Sequence, residues 1–437
     1  MRYTRSPLSY ALKIRADHGD AVRFRSLAGR GIAVCSADLA REVFAAPPES
    51  FEVPSFAANL FGPRAVIVTS GSVHRKQRRL LNPRFHGSRI KSLMTAMQRV
   101  IRTHCDRLES AAKSGAIVTL SDVTQAMTLD VILETVFGES ENLDRGRART
   151  VLGALIDSFD PVLIGLPMLQ TPLFPPWRRV TNARRDFDTW LDGLTAARRR
   201  SDTLGGDVLG MLLDARYDDD SAMDQAEIRD NVLTLLLAGH ETSAIALAWS
   251  VYHLLRNPST HTRLRAELDA LGREPSVEAI TRLPYLQAVV SETLRVEPIV
   301  TDVTRVCRAP FVLGSRWTVP AGENIAVLLV AILHDPRLFP EPSRFRPERF
   351  LDGRFGPGEF VPFGGGARRC LGAAFAESEL AIALATLVGE WNLALASDRP
   401  ERGVRRNITV GPEHGVRIRV LGRREASATA ASRADAE

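Results

Sequence analysis

Residues 225–256 form the longest uninterrupted helical pattern in the chain, and its centre, LLLAGHETSAIALAW, is apolar on every side. A segment of that length and composition can cross a bilayer. His240 and Glu241 in its middle, and the absence of a second such stretch, argue instead for a helix running through the core of a globular protein. Helical patterns surround it, and short strand-like runs follow it, which predicts a mainly α protein with a smaller β-rich region. Inside this core helix sit residues that a buried helix usually avoids. Glycine costs about 1 kcal/mol relative to alanine in a helix interior, and an unpaired carboxylate costs far more. Ala238 and Thr242 are i, i+4, so a small residue and a hydroxyl face the same way and leave a groove.

The second unusual stretch is 363–372, FGGGARRCLG. Gly364, Gly365 and Gly366 permit positive φ and close backbone approach, and the proline-free pattern 371–390 reads as a helix that starts at the sulfur of Cys370. The helix N-terminus, with Arg368 and Arg369 nearby, is expected to lower the thiol pKa and suit the sulfur to bind a metal as an anion. The other cysteines, Cys35, Cys105 and Cys307, form no CxxC pair, so a reduced, cytoplasmic setting is expected.

Composition sets the outer bounds. A 45% hydrophobic, 25% charged chain of 437 residues has ample material for a core. Its 57 basic and 51 acidic residues leave +6, too mild and dispersed to argue for nucleic acid without a reading motif. The first twenty residues are polar and broken by Pro7, so neither a signal peptide nor a membrane anchor is expected there, and no membrane span elsewhere.

Taken in order, 21–24 and 32–35 predict a β-hairpin and 37–45 a helix. Residues 55–71 read as an apolar loop broken by Gly62 and Pro63. HRKQRR, 74–79, lies on a segment ending at Pro83, with His74 and Arg78 on one helical face and Arg75 and Arg79 on another. Helices are expected over 88–114 and 121–137, the second capped by Ser121. Pro161, Pro167, Pro172, Pro175 and Pro176 predict a long loop before a helix from Trp177. A further helix over 283–296 bears Glu292 and Arg295 at i, i+3, which alone would be a surface pair worth little. Strands are expected at 303–306, 311–313, 325–328 and within 391–421. Residues 425–437 read as a disordered tail.

Phe363, Gly366, Arg368, Cys370 and Gly372 match the haem-binding loop of the cytochrome P-450 family, which this chain resembles. AGHETS resembles the family's oxygen-activating motif, with Ser243 where a second threonine is common. Glu292 and Arg295 match its ExxR; Pro347, Glu348, Arg349 and Phe350 its PERF element; His74 and Arg78 its HxxxR. The resemblance implies one cytochrome P-450 domain over 1–424, of the soluble bacterial kind, holding haem b with Cys370 as the iron ligand. Phe363 would pack beside the sulfur, with Gly366 and Gly372 completing the loop. His74, Arg78, Arg305 and Arg368 would bind the propionates, and Ala238 and Gly239 would border the cofactor. Glu241 and Thr242 are implied as the acid and alcohol that deliver protons to dioxygen, and Glu292, Arg295 and Arg349 as a structural network.

The implied function is a monooxygenase, cytoplasmic and of secondary metabolism, that hydroxylates or epoxidises an apolar terpenoid, fatty acid or polyketide-like molecule. Ile299, Val300, Thr301 and Ile408 would line the pocket, 55–71 would roof it, and the proline-rich stretch would be its lid. With no flavin or iron–sulfur domain evident, electrons are expected from a ferredoxin or flavodoxin and its reductase, docking on the side of Arg75, Lys76 and Arg79. The alternatives are a haem-thiolate peroxygenase or isomerase, or a non-catalytic haem or ligand-binding protein. The Glu241 and Thr242 pair weighs against both, since neither needs a proton relay to dioxygen.

Overall fold

A computed structural model describes residues 6–425, apart from 27–28, 55, 86–87, 139–142, 159–162, 164–168, 202, 273 and 407. Five helices frame the candidate site: α1 (Gly71–Leu81), α2 (Leu120–Phe137), α3 (Gln225–Arg256), α4 (Pro284–Val296) and α5 (Ala373–Glu390). The long apolar pattern is α3, and it does run through the core, with Ile245 to Trp249 all buried. Among the described residues it is the one helix long and apolar enough to cross a bilayer, and most of that apolar stretch is buried inside the protein.

Two devices hold α3 in place. At its start Asp224 and Glu227 form a capping box: Glu227 N donates to Asp224 Oδ1 at 2.9 Å, and Asp224 N to Glu227 Oε2 at 3.1 Å. At its centre α2 packs alongside, and two buried α2 hydroxyls bond across the contact. Thr124 Oγ1 donates to Ala244 O at 3.0 Å and Thr128 Oγ1 to His240 O at 2.9 Å. Apolar packing and satisfied polar atoms therefore fix the register of α3 together.

The β-rich region is a five-stranded sheet of order β1 (Ala21–Ser26), β2 (Gly29–Val34), β5 (Asn324–Val327), β4 (Val303–Cys307), β3 (Phe51–Glu52). Its central β2–β5 pair is parallel; the other pairs are antiparallel. Alternate residues of β2 serve two cores: Ile32 and Val34 pack with Ile325 and Val327, whereas Ala33 packs with Leu328 and with Ala11 of the helix Pro7–His18. This sheet presents Arg305 on β4. A separate hairpin, β6 (Gly403–Arg406) and β7 (Thr409–Pro412), is tied to the segment before β4 by Val410 N, which donates to Ile299 O at 2.8 Å.

Several local expectations change. Residues 55–71 are not all loop, since Phe56–Phe61 is helical. The pattern 88–114 is two helices, Ser88–Asp106 and Leu108–Ser114. Thr119, not Ser121, stands at the start of α2, and its side chain makes no cap. Pro175 and Pro176 open the helix Pro175–Arg200, because the first helical turn needs no N–H from proline. Pro161 and Pro167 lie outside the described residues, as does the tail beyond 425. The short strand Trp317–Val319, which pairs with the expected strand Phe311–Leu313, went unrecognised.

Candidate functional site

The loop before α5 is built on a close backbone approach. Gly366 has φ +64°, and a Cβ there would stand 1.9 Å from Phe44 O, so no other residue fits. The turn closes through Cys370 N, which donates to Phe363 O at 3.0 Å, and Arg369 lies over the Phe363 ring. The helix begins at Ala373 with Gly372 at its N-cap, three residues beyond the sulfur. No protein atom would oppose a Cβ at Gly372 within 4 Å, so the space beside this turn is open, and the Cys370 side chain is accessible.

The thiol pKa is raised, contrary to the expectation from the helix terminus. Although the side chain can be reached, the protein packed around it displaces most of its bulk water, and this outweighs the Gly372 N–H, Arg78 and Arg369, all of which favour the thiolate. A metal bound at the sulfur would have to supply the remaining stabilisation.

Four basic residues from three separate segments meet near this loop. Arg368 Nη2 donates to Thr69 O at 2.6 Å and to Ser70 Oγ at 2.9 Å, which fixes it against the start of α1. His74 and Arg78 project from α1, and Arg305 comes from β4. His74 is 3% exposed, its Nδ1 has no hydrogen-bond partner, and burial followed by the charges of Arg368, Arg78 and Arg305 pushes it down to about 3. Arg305 and Arg368 are each pushed down to about 10, chiefly by burial, then by Arg368 and Arg78 respectively. Among the described residues no carboxylate pairs with Arg78, Arg305 or Arg368. A cleft of about 270 Å³ lies beside this cluster, bordered by His74, Arg75, Arg78, Arg79, Asn82 and Gly366. Three desolvated, mutually repelling guanidinium groups, Arg78, Arg305 and Arg368, without a counter-charge and beside a neutral His74, define a site for an anion.

The outward bases of α1 behave differently. Arg75 pairs with Glu49, Lys76 with Asp219 at 2.8 Å, and Arg79 with Asp218 at 2.8 Å. This face is exposed, as expected, and its bases stand in surface ion pairs that leave it charge-balanced.

On α3 the helix is continuous through Gly239. Ala238 is exposed in the middle of this core helix, and Thr242 lies one turn on, its Oγ1 donating to Ala238 O at 2.9 Å. These two border open space, as their spacing implied. Gly239 does not: a Cβ there would stand 3.0 Å from Ile132 Cδ1 of α2, so this glycine serves helix packing. Glu241 meets Thr409 on β7, whose Oγ1 lies 3.1 Å from Glu241 Oε1, a partner that the sequence did not assign to it. Nothing local links positions 168 apart; the neighbouring Ile408 was the nearest signal.

Of the expected pocket wall, Val300 is half-buried and Ile408 exposed, Ile299 is buried, and Thr301 is buried as a partner of Arg405 and Asp302. Thr301 is thus a polar anchor of the β6–β7 hairpin, not apolar wall. Glu292, Arg295 and Arg349 do come together, fully inside the protein. Another buried acid, Glu379 on α5, lies near Ser243 of α3; neither carboxylate oxygen nor the Ser243 hydroxyl makes a hydrogen bond of normal length.

Comparison with known proteins agrees with this geometry. The Cytochrome P-450 family model matches residues 2–415. The chain is 33% identical over 407 residues to the Mycobacterium bovis protein named cytochrome P-450 138, covering 91% of this chain and 87% of that one. It is 31% identical over 390 residues to cytochrome P-450 135A1 of Mycobacterium tuberculosis, covering 88% and 84%. The solved structure of retinoic acid bound cyanobacterial CYP120A1 superposes with a TM-score of 0.82 at 27% identity, covering 93% of each chain.

Proposed function

The chain belongs to the cytochrome P-450 family of haem-thiolate monooxygenases, and on that premise we propose that it holds haem b through Cys370 and oxygenates an apolar small molecule. The observation that carries the reading is the meeting of the Cys370 turn with the unneutralised cluster of His74, Arg78, Arg305 and Arg368. The residues present fit haem: its two propionates would supply the missing negative charge, the Cys370 thiol would bind its iron, and the open space at Gly372 would give it room. When bound, that group supplies dioxygen activation, which no side chain of the protein performs.

The remaining work belongs to the chain. Arg368, fixed by Thr69 and Ser70, and Arg305 orient the anionic edge of the ligand. The Phe363 carbonyl and the Gly372 N–H hold the sulfur in position. Glu241 and Thr242 would pass protons on through the carboxyl group and Oγ1, beside the opening left by Ala238. Val300 and Ile408 offer apolar surface for a terpenoid, fatty acid or polyketide-like substrate, and electrons come from a ferredoxin or flavodoxin with its reductase. Support for the terpenoid class comes from the structural neighbour, which was solved with retinoic acid.

The test is a screen of such compounds, retinoic acid among them, for a spin-state shift of the ferric haem protein. Hits are then incubated with a donor system while oxygen uptake and product are followed. Hydroxylated or epoxidised product in proportion to oxygen consumed is expected. Turnover with peroxide but not with dioxygen and reductant would overturn the reading.

A further inference from the structure

We propose that Thr409 is the positioning residue for Glu241, holding its carboxyl group through both protonation states. This rests on the reading of Glu241 as a proton carrier. The geometry is specific to the hairpin β6–β7. Thr409 is 1% exposed, and its Oγ1 lies 3.1 Å from Glu241 Oε1 and 2.9 Å from Arg406 O. Among the described residues no guanidinium or ammonium group pairs with Glu241, so this hydroxyl is the side-chain hydrogen bond that orients it. The hairpin itself is fixed on three sides. Val410 N donates to Ile299 O at 2.8 Å, and Arg405 Nη2 donates to Thr301 Oγ1 at 2.5 Å and to Asp302 Oδ1 at 3.1 Å. Gly411 sits against Ile245, one turn of α3 beyond Glu241, where a Cβ would meet it at 3.4 Å. Thr409 is therefore a rigid post beside a carboxyl that is otherwise free to turn.

A hydroxyl has one hydrogen and two lone pairs, and here it has two acceptors in reach. Facing a carboxylate, Thr409 donates its hydrogen to Glu241 Oε1. Facing a carboxylic acid, it turns that hydrogen to Arg406 O and accepts from Glu241. The carboxyl keeps a partner in either state, so gaining or losing a proton does not release the side chain. Valine, which matches threonine in shape, can do neither.

The experiment uses the holoprotein. Glu241→Gln identifies the infrared carboxylate band of Glu241 by its loss. Thr409→Val should shift that band toward a weaker hydrogen bond, and Thr409→Ser should leave it in place. Product formed per oxygen consumed should fall roughly three- to tenfold in Thr409→Val, the scale of one net hydrogen bond, and recover in Thr409→Ser. In the Glu241→Gln background Thr409→Val should cause no further loss. Thr409→Ala replaces the valine variant if that one fails to fold. An unmoved band overturns the proposal, and so does an equal loss of coupling in the Glu241→Gln background, which would mark Thr409 as packing alone. If the band moves but no substrate is oxygenated, the positioning role stands and the monooxygenase reading falls.

Discussion

Arg295 and Glu292 form an ion pair one turn apart on α4, with Nε to Oε2 at 2.7 Å and Nη2 to Oε1 at 3.0 Å, and with both side chains 0% exposed. The pair is completed from outside the helix. Arg349 Nε donates to Glu292 Oε1 at 3.1 Å and Arg346 N at 2.8 Å, while Arg295 also donates to Leu333 O and Pro342 O. Buried charge persists in a protein only when its hydrogen-bonding capacity is filled in this way. The network pins α4 to the chain between 333 and 349, which gives it a structural role.

Removing one partner should expose the other to an uncompensated interior. Arg295→Leu is expected to lower the unfolding free energy by about 3–5 kcal/mol in urea titrations. Arg295→Lys should recover little, because an ammonium cannot make the forked contact to Glu292. A change in the range of an ordinary surface pair would show that the network is dispensable.

Glu379 should make stability depend on pH. Burial, only partly offset by Ser243, pushes its carboxyl up from 4.5 to about 8. Between those values the folded protein keeps a proton that the unfolded chain has released, so the contribution of this group falls as pH rises through the window and levels off above about 8. Thermal melts across the window should show the decline in the parent protein and a flatter profile in Glu379→Gln. Identical profiles would mean that the acid is not buried unpaired.

For the thiol, Cys370→Ala should abolish the strongly red-shifted absorption band of the reduced carbon monoxide complex. The variant is expected to fold, since the Cys370 N–H to Phe363 O bond does not involve the side chain. Retention of the band would assign the iron ligand elsewhere.

Thr242→Ala should leave oxygen consumption in place but divert it largely to peroxide, measured as peroxide formed against product. Its hydroxyl now bonds Ala238 O within α3, a contact whose loss does not break the helix. Normal coupling to product would remove Thr242 from the proton path.

Much of this molecule was legible in the chain. The apolar length of α3, the glycine loop at Cys370 and the i, i+4 spacing of Ala238 and Thr242 are local strings, and backbone sterics and helical period tie them to local geometry. That is why the mainly α class, the core helix and the position of the groove could be read without coordinates. The helix start at Pro175, two residues before the expected Trp177, was missed for a local reason too, because proline both ends helices and begins them.

What only the tertiary structure decided concerns water and distant partners. Glu292 and Arg295 could equally have been an exposed pair; burial against residues 333–349 made them a core network. Arg75, Lys76 and Arg79 look like a free basic patch until Glu49, Asp218 and Asp219 arrive beside them. Cys370 has the neighbours of an acidic thiol, yet desolvation wins. Thr409 reaches Glu241 across 168 residues. Helical period and turn chemistry act over a few residues and so are written in the chain itself. Desolvation and pairing depend on every atom within a few ångströms, most of them contributed by segments that meet only when the chain folds.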